Sequence, residues 1–157
     1  MSIFPSITQP DAMDCGPVSI QMIAQYFGKD FLLDKLRQLT FTGKEGVSLF
    51  AISETAEQIG FKTVGGKISF DKLEQEALLP CIVHWNQEHF VVVYQIKSKN
   101  FFRKHTRIYV ADPARGKITY TEEEFKTHWI STRSGEQEKG VVLLLEPTPE
   151  LSKKSPK

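Results

Sequence analysis

A cysteine sits in the run Gln9-Pro10-Asp11-Ala12-Met13-Asp14-Cys15-Gly16-Pro17. A thiol becomes a strong nucleophile as its thiolate, and the first turn of a helix favours S⁻ through unpaired N–H groups and the positive end of its dipole. Val18, Met22 and Tyr26, with Ile23 and Phe27, recur at three- and four-residue intervals, so the spacing predicts a helix from Cys15 to a stop at Gly28. Asp14 is the expected N-cap, and Pro17 falls where a helix has no N–H bond to lose. A lone cysteine there would be read as a small packed core side chain. Its partners decide the matter.

Four histidines are available. His89 opens the β-branched run Phe90-Val91-Val92-Val93-Tyr94, and the polar Trp85-Asn86-Gln87-Glu88 before it is suited to turn the chain. Cys81 to Trp85 and Phe90 to Ile96 then become neighbouring antiparallel strands with His89 at a strand mouth, the position expected of a general base. His84 lies inside the first of these strands and reads as structural, whereas His105 falls in a basic loop and His128 in a late helix. Asp112 ends the strand 106–111 directly before Pro113, which biases it toward an extended backbone. Ala114-Arg115-Gly116 turns the chain into a returning strand. Two strands ending in His89 and Asp112 suggest a carboxylate that orients an imidazole, beside a cysteine poised to attack a carbonyl.

Taken in order, Gln9…Asp14-Cys15-Gly16, Leu79-Pro80-Cys81-Ile82-Val83-His84…His89-Phe90-Val91-Val92, Asp112-Pro113-Ala114…Gly116 and Glu124-Phe125…Trp129 resemble the bacteriocin-processing peptidase family. These are the cysteine protease domains at the N-terminus of peptidase-containing ABC transporters, and the likeness runs from about residue 4 to residue 146. The resemblance implies an α+β, papain-like fold, an N-terminal helical part packed against a C-terminal antiparallel sheet. It implies a triad of Cys15, His89 and Asp112, with the Gln9 amide, otherwise an ordinary loop residue, donating to the oxyanion. It implies a precursor peptide with an amphipathic leader helix, cut after a Gly-Gly pair. No cofactor is implied for the peptidase step, ATP being expected only at a separate domain of a parent exporter whose membrane helices would lie downstream. The implied location is the cytoplasmic side of the bacterial cell membrane. The competing functions are an exporter's inactive leader-binding module and a cysteine amidase or isopeptidase with another substrate.

Other uses of the same letters fit less well. Cys15, Cys81, His84 and His89 are acceptable zinc ligands by type, but no close Cys-x₂-Cys pair anchors a site, and positions 81 and 84 of a strand face opposite ways. Gly43 and Gly46 lack phosphate-loop spacing. With 20 Lys plus Arg against 19 Asp plus Glu, the formal charge of +1 is far from that of a dedicated nucleic-acid binder. The segment from Lys97 to His105 is nonetheless locally basic and holds Phe101 and Phe102; it reads first as a hairpin loop and second as a membrane-proximal or partner contact. Two cysteines and the lack of a secretory or transmembrane run suit a reducing cytoplasm.

The elements needed to position these groups are legible in outline. A second helix is expected over 31–39 and a third from the cap Ser48 to Gly60, joined by a polar connection at 40–46. Gly65-Gly66 reads as a turn, Ser69 as the cap of a short helix carrying Phe70, Leu73 and Leu78, and Thr121 with Glu124 as a capping box. The stretch from Ser131 to Gly140 reads as mobile and Val141 to Leu145 as a last strand. At 157 residues, 40% of them hydrophobic, one core and one domain are expected, over residues 1–146, with 147–157 as a polar linker or tail.

Overall fold

The computed structural model describes residues 3–41, 48–135 and 137–153, so part of the connection expected at 40–46 lies outside the described residues. Helix α1 is Cys15–Tyr26, entered through a 3₁₀ turn at Ala12–Asp14. Its Val18, Ile20, Met22, Ile23 and Ala24 are all buried, and the chain leaves through Gly28, whose φ of 90° suits glycine. Helix α2 covers Leu33–Thr40 and α3 Leu49–Ile59. Ser48 caps α3 as expected, its hydroxyl accepting from the Ala51 N–H at 3.1 Å.

Among the described residues the strands are β1 (Phe61–Ile68), β2 (Cys81–Trp85), β3 (His89–Lys97), β4 (Arg107–Asp112), β5 (Gly116–Thr121), β6 (Ile130–Ser134) and β7 (Gln137–Pro147). They form one antiparallel sheet in the order β1-β7-β2-β3-β4-β5, with β6 also on β7. Helix α4 is Phe70–Glu76, capped by Ser69, and α5 is Glu122–Trp129, opened by the full Thr121/Glu124 capping box. Leu78 is not part of α4 and is exposed.

The expected mixed architecture is present, with the helices covering both faces of the sheet. Val18, Ile23, Leu36, Ile52 and Ala56 from α1–α3 pack on one face with Ile82, Val92 and Leu143. On the other, Phe70, Leu73, Phe125 and Trp129 from α4 and α5 pack on Val83, Val91 and Val110. Each fully buried aromatic here contributes roughly 2–3 kcal/mol of transfer free energy.

Three expectations are corrected. Gly65 and Gly66 are not a turn: β1 runs through them, paired with Leu143 and Val142, because β7 offers an eight-residue ladder that outweighs the poor strand propensity of glycine. The stretch from Ser131 to Gly140 is mostly a β6–β7 hairpin, and Gly140 sits under the Trp129 indole where a Cβ would collide with the ring. The segment from 147 read as a linker begins as packed structure: Thr148 bonds to the Gly60 carbonyl through its N–H at 3.0 Å and its hydroxyl at 2.6 Å, and helix α6 (Pro149–Lys153) buries Leu151 in the α1–α3 core.

Candidate active site

The β2–β3 hairpin is closed by Asn86 and Gln87, both with positive φ (53° and 63°), and the Glu88 N–H bonds the Trp85 carbonyl at 3.2 Å. Asn86, Gln87 and Glu88 make a three-residue loop that sets His89 opposite Trp85 at the start of β3. Antiparallel pairing then brings the end of β4 beside it, and the β4–β5 turn fixes Asp112. The Arg115 N–H returns to the Asp112 carbonyl at 3.1 Å, and Gly116 takes φ 87° to re-enter the sheet.

His89 Nε2 lies 2.8 Å from Asp112 Oδ1, which also accepts the Ala114 N–H at 2.8 Å. Asp112 is 4% exposed, yet its carboxyl is held below its ordinary pKa: burial opposes ionisation, and the bonds from His89 and Ala114 outweigh it, with the charges of His89 and Arg115 adding to them. The His89 imidazole shows the reciprocal effect. Burial lowers its pKa, but the hydrogen bond to Asp112, a second to Cys15 and the nearby charges of both raise it to about 9. With Nε2 engaged by the carboxylate, Nδ1 is the ring nitrogen left for Cys15. The cysteine opens α1, 4% exposed, so the structure gathers Cys15, His89 and Asp112 into one chain of contacts.

Gln9 is brought to the same cleft by its backbone N–H, which donates to the Pro113 carbonyl at 2.8 Å. Its Nε2 donates one hydrogen to the Asp11 carbonyl at 3.0 Å, leaving a second, while its Oε1 is buried without a hydrogen-bond partner. The cleft, about 460 Å³, is lined by Gln9, Ala12, Glu88, His89, Arg115 and His128 among others.

Asp14 departs from expectation. The residues before it already form a 3₁₀ turn capped by the Asp11 carboxylate, so Asp14 makes no cap bond. Its carboxylate, 1% exposed, instead takes both Nε and Nη2 of Arg37 on α2, at 2.8 and 2.6 Å. Sequence reasoning missed Arg37, since nothing local distinguishes one arginine on a surface helix. It also left His128 as an ordinary late-helix residue. His128 Nδ1 lies 2.9 Å from Asn86 Oδ1, its ring stacks on Trp85 at 4.8 Å, and its carbonyl accepts the Asn86 N–H at 2.8 Å, so α5 clamps the turn that carries His89. His84 stacks on Phe90 and its pKa is lowered by burial. Cys81 is fully buried, its thiol pushed up to about 12 by desolvation. Among the described residues no group of three or more His, Cys, Asp or Glu is gathered that could hold a metal ion.

The sequence profile of the peptidase C39 family matches residues 3–149. The chain belongs to that family. Peptidase C39 enzymes are cysteine peptidases, and this peptidase has their fold. A double glycine motif protease from an AMS/PCAT transporter, solved in complex with the leader peptide, is 30% identical and superposes with a TM-score of 0.74, over 92% of this chain and 91% of that one. The peptidase domain of Streptococcus ComA, a bi-functional ABC transporter of a quorum sensing pathway, gives 0.72 at 25% identity, over 93% of this chain and all of that one. Among curated proteins, the lactococcin-G-processing and transport ATP-binding protein of Lactococcus lactis is 36% identical over 128 residues, 78% of this chain. The colicin V secretion/processing ATP-binding protein of Escherichia coli is 33% identical over 125 residues, 80% of this chain. The matched part is 17% of the length of each of these two transporters. No described helix of the C39 peptidase is long and apolar enough to cross a membrane.

Proposed function

We propose that this C39 peptidase removes the leader of a secreted, bacteriocin-like precursor by cutting behind a Gly-Gly pair, through an acyl-enzyme on Cys15. The observation that carries the reading is the His89 imidazole bonded to Asp112 at 2.8 Å and in contact with Cys15, an arrangement that favours its protonated form. His89 keeps that proton while the Cys15 sulfur attacks the carbonyl of the second glycine, so an S–C bond forms and the oxyanion meets the free amide hydrogen of Gln9 and the Cys15 N–H. His89 then protonates the departing amine as the C–N bond breaks. A water, giving its proton to His89, attacks the thioester, and the sulfur leaves as thiolate.

Residues without side chains suit a narrow cleft, and the amphipathic leader supplies binding energy at a distance, so short Gly-Gly peptides are expected to be poor substrates. In this reading the peptidase unit spans residues 1–146 and, given the packing of Leu151, a little more, and works at the cytoplasmic side of the cell membrane within an exporter. ATP belongs to a separate domain of that exporter, and the peptide chemistry as proposed calls on no cofactor.

The reduced chain, incubated with a full leader–core precursor and followed by intact mass, is expected to yield one cut after the double glycine. The cut should vanish with Cys15→Ala and with a precursor whose glycines are replaced. Leader binding with no cleavage would overturn the reading in favour of a leader-binding module; a cut indifferent to the leader would favour a general cysteine amidase.

A further inference from the structure

The loop joining β3 to β4 lies at the opposite end of that strand pair from His89 and Asp112, roughly 26 Å from His89 along the nine residues of β3 and roughly 17 Å from Asp112 along the six of β4, at about 3.3 Å per residue step. It is tightly built. Asn100 Oδ1 accepts the N–H groups of Phe102 and Arg103 at 2.9 and 2.8 Å, the Asn100 N–H donates to the Arg103 carbonyl at 2.9 Å, and an Arg103 guanidinium N–H bonds the Ser98 carbonyl at 2.9 Å. Lys99 N–H is tied to Thr106 Oγ1 at 3.1 Å. Yet this ordered loop presents two phenylalanines to solvent, Phe101 at 94% and Phe102 at 92% exposed, edge-on to each other at 5.3 Å.

From these contacts we infer that the Phe101-Phe102 tip is a membrane-surface wedge, seating this end of the domain on an anionic lipid bilayer. The segment 97–105 carries Lys97, Lys99, Arg103 and Lys104 and no acidic residue; Glu122 and Glu123 face Lys99 and Lys104 only at its base. An apolar tip ringed by cations matches the charge and polarity of the interface, where aromatic rings enter the headgroup region and long basic side chains reach the lipid phosphates. A protein partner fits less well, because the centres of protein interfaces are poor in lysine. The backbone bonds hold the tip outward without any partner, so little ordering is lost on contact. Docked this way, the strand pair points His89 and Asp112 away from the lipid, leaving the cleft open to an incoming peptide. The exporter reading supplies a nearby membrane, but vesicle binding and peptide cleavage succeed or fail separately.

The test is co-sedimentation of the 157-residue chain with vesicles of phosphatidylcholine alone and of phosphatidylcholine with phosphatidylglycerol in equal parts. Pelleting is expected with the anionic vesicles, weakening as salt is raised. The pair F101S/F102S should weaken it by about tenfold or more, and K99E/K104E likewise, each lost cation changing partitioning by about fivefold. Both variants alter exposed side chains far from the cleft, so precursor cleavage should stay at the parent's value; melting should be unchanged in F101S/F102S and slightly lower in K99E/K104E, whose new carboxylates face Glu122 and Glu123. Absence of pelleting with anionic vesicles overturns the inference and leaves the loop as a protein-docking tip. Pelleting unaffected by F101S/F102S overturns the wedge, since bare charge attraction would then suffice.

Discussion

The two sides of the cleft are held in different ways. On the sheet side, His89 and Asp112 are placed largely by local features, a three-residue hairpin loop, pairing of neighbouring strands and an aspartate that bonds the backbone two residues on, with His128 of α5 bracing the loop. On the helix side, Cys15 and Gln9 depend on contacts between segments distant in sequence, Asp14 with Arg37 and Gln9 with Pro113. In the proposed mechanism the sheet side therefore sets the protonation of the imidazole, while the helix side sets whether Cys15 and Gln9 arrive in register with it. Perturbing the first should change chemistry and its pH dependence; perturbing the second should change stability and geometry as well.

The largest effect is expected from Asp112→Asn. Burial pulls the His89 pKa down and the Asp112 hydrogen bond is the largest contribution opposing it, so removing the carboxylate should drop the imidazole pKa and cut kcat/KM by about a hundredfold at neutral pH. In the parent, activity should fall as pH rises through about 9, where His89 loses the proton that the proposed mechanism gives to the leaving amine. In Asp112→Asn that limb should move to lower pH. Linkage gives a second readout. A histidine pKa raised on folding contributes stability that is complete below about 6.5 and lost as pH climbs through about 9, so the parent's melting temperature should decline across that window and the variant's should decline less. An alkaline limb unmoved by the substitution would break the assigned role of the pair.

This division also explains what could be read from the sequence. His89 and Asp112 were legible because their settings are local: polar residues before a β-branched run, and an aspartate before a proline and a turn. The caps at Ser48, Ser69 and Thr121 were legible for the same reason. Strand β1 was not, since Gly65 and Gly66 look like a turn until β7 is known to lie beside them. Arg37 was invisible, its meaning arising only when α2 packs on α1. Asp14 was assigned a cap by position alone, whereas the preceding 3₁₀ turn had given that task to Asp11.

Gln9→Ala should be intermediate in effect. The bond from the Gln9 N–H to Pro113 is backbone and survives, so folding and leader binding should be retained. Loss of the side-chain donor should slow acylation by about tenfold, short of the roughly hundredfold or more that a lost oxyanion donor can cost, because the Cys15 N–H still meets the oxyanion. Measured by single-turnover cleavage beside leader affinity, a parallel loss of both would instead make Gln9 a docking residue.

The smallest effect on chemistry is expected from Asp14→Ala, and its contrast with Arg37→Leu sharpens the comparison most. Asp14→Ala removes a carboxylate that is 1% exposed, but Arg37 is not stranded: its side chain is 32% exposed and keeps Asp34 at 2.8 Å. Melting should fall moderately while turnover stays within a few-fold. Arg37→Leu does the opposite, leaving a buried carboxylate without its guanidinium one residue from Cys15. That uncompensated negative charge disfavours both the fold and a thiolate beside it, so melting and turnover should fall together. Equal turnover in the two variants would show that the ion pair braces α1 against α2 and nothing more; a collapse of turnover in Asp14→Ala at unchanged melting would instead move Asp14 into the chemistry itself.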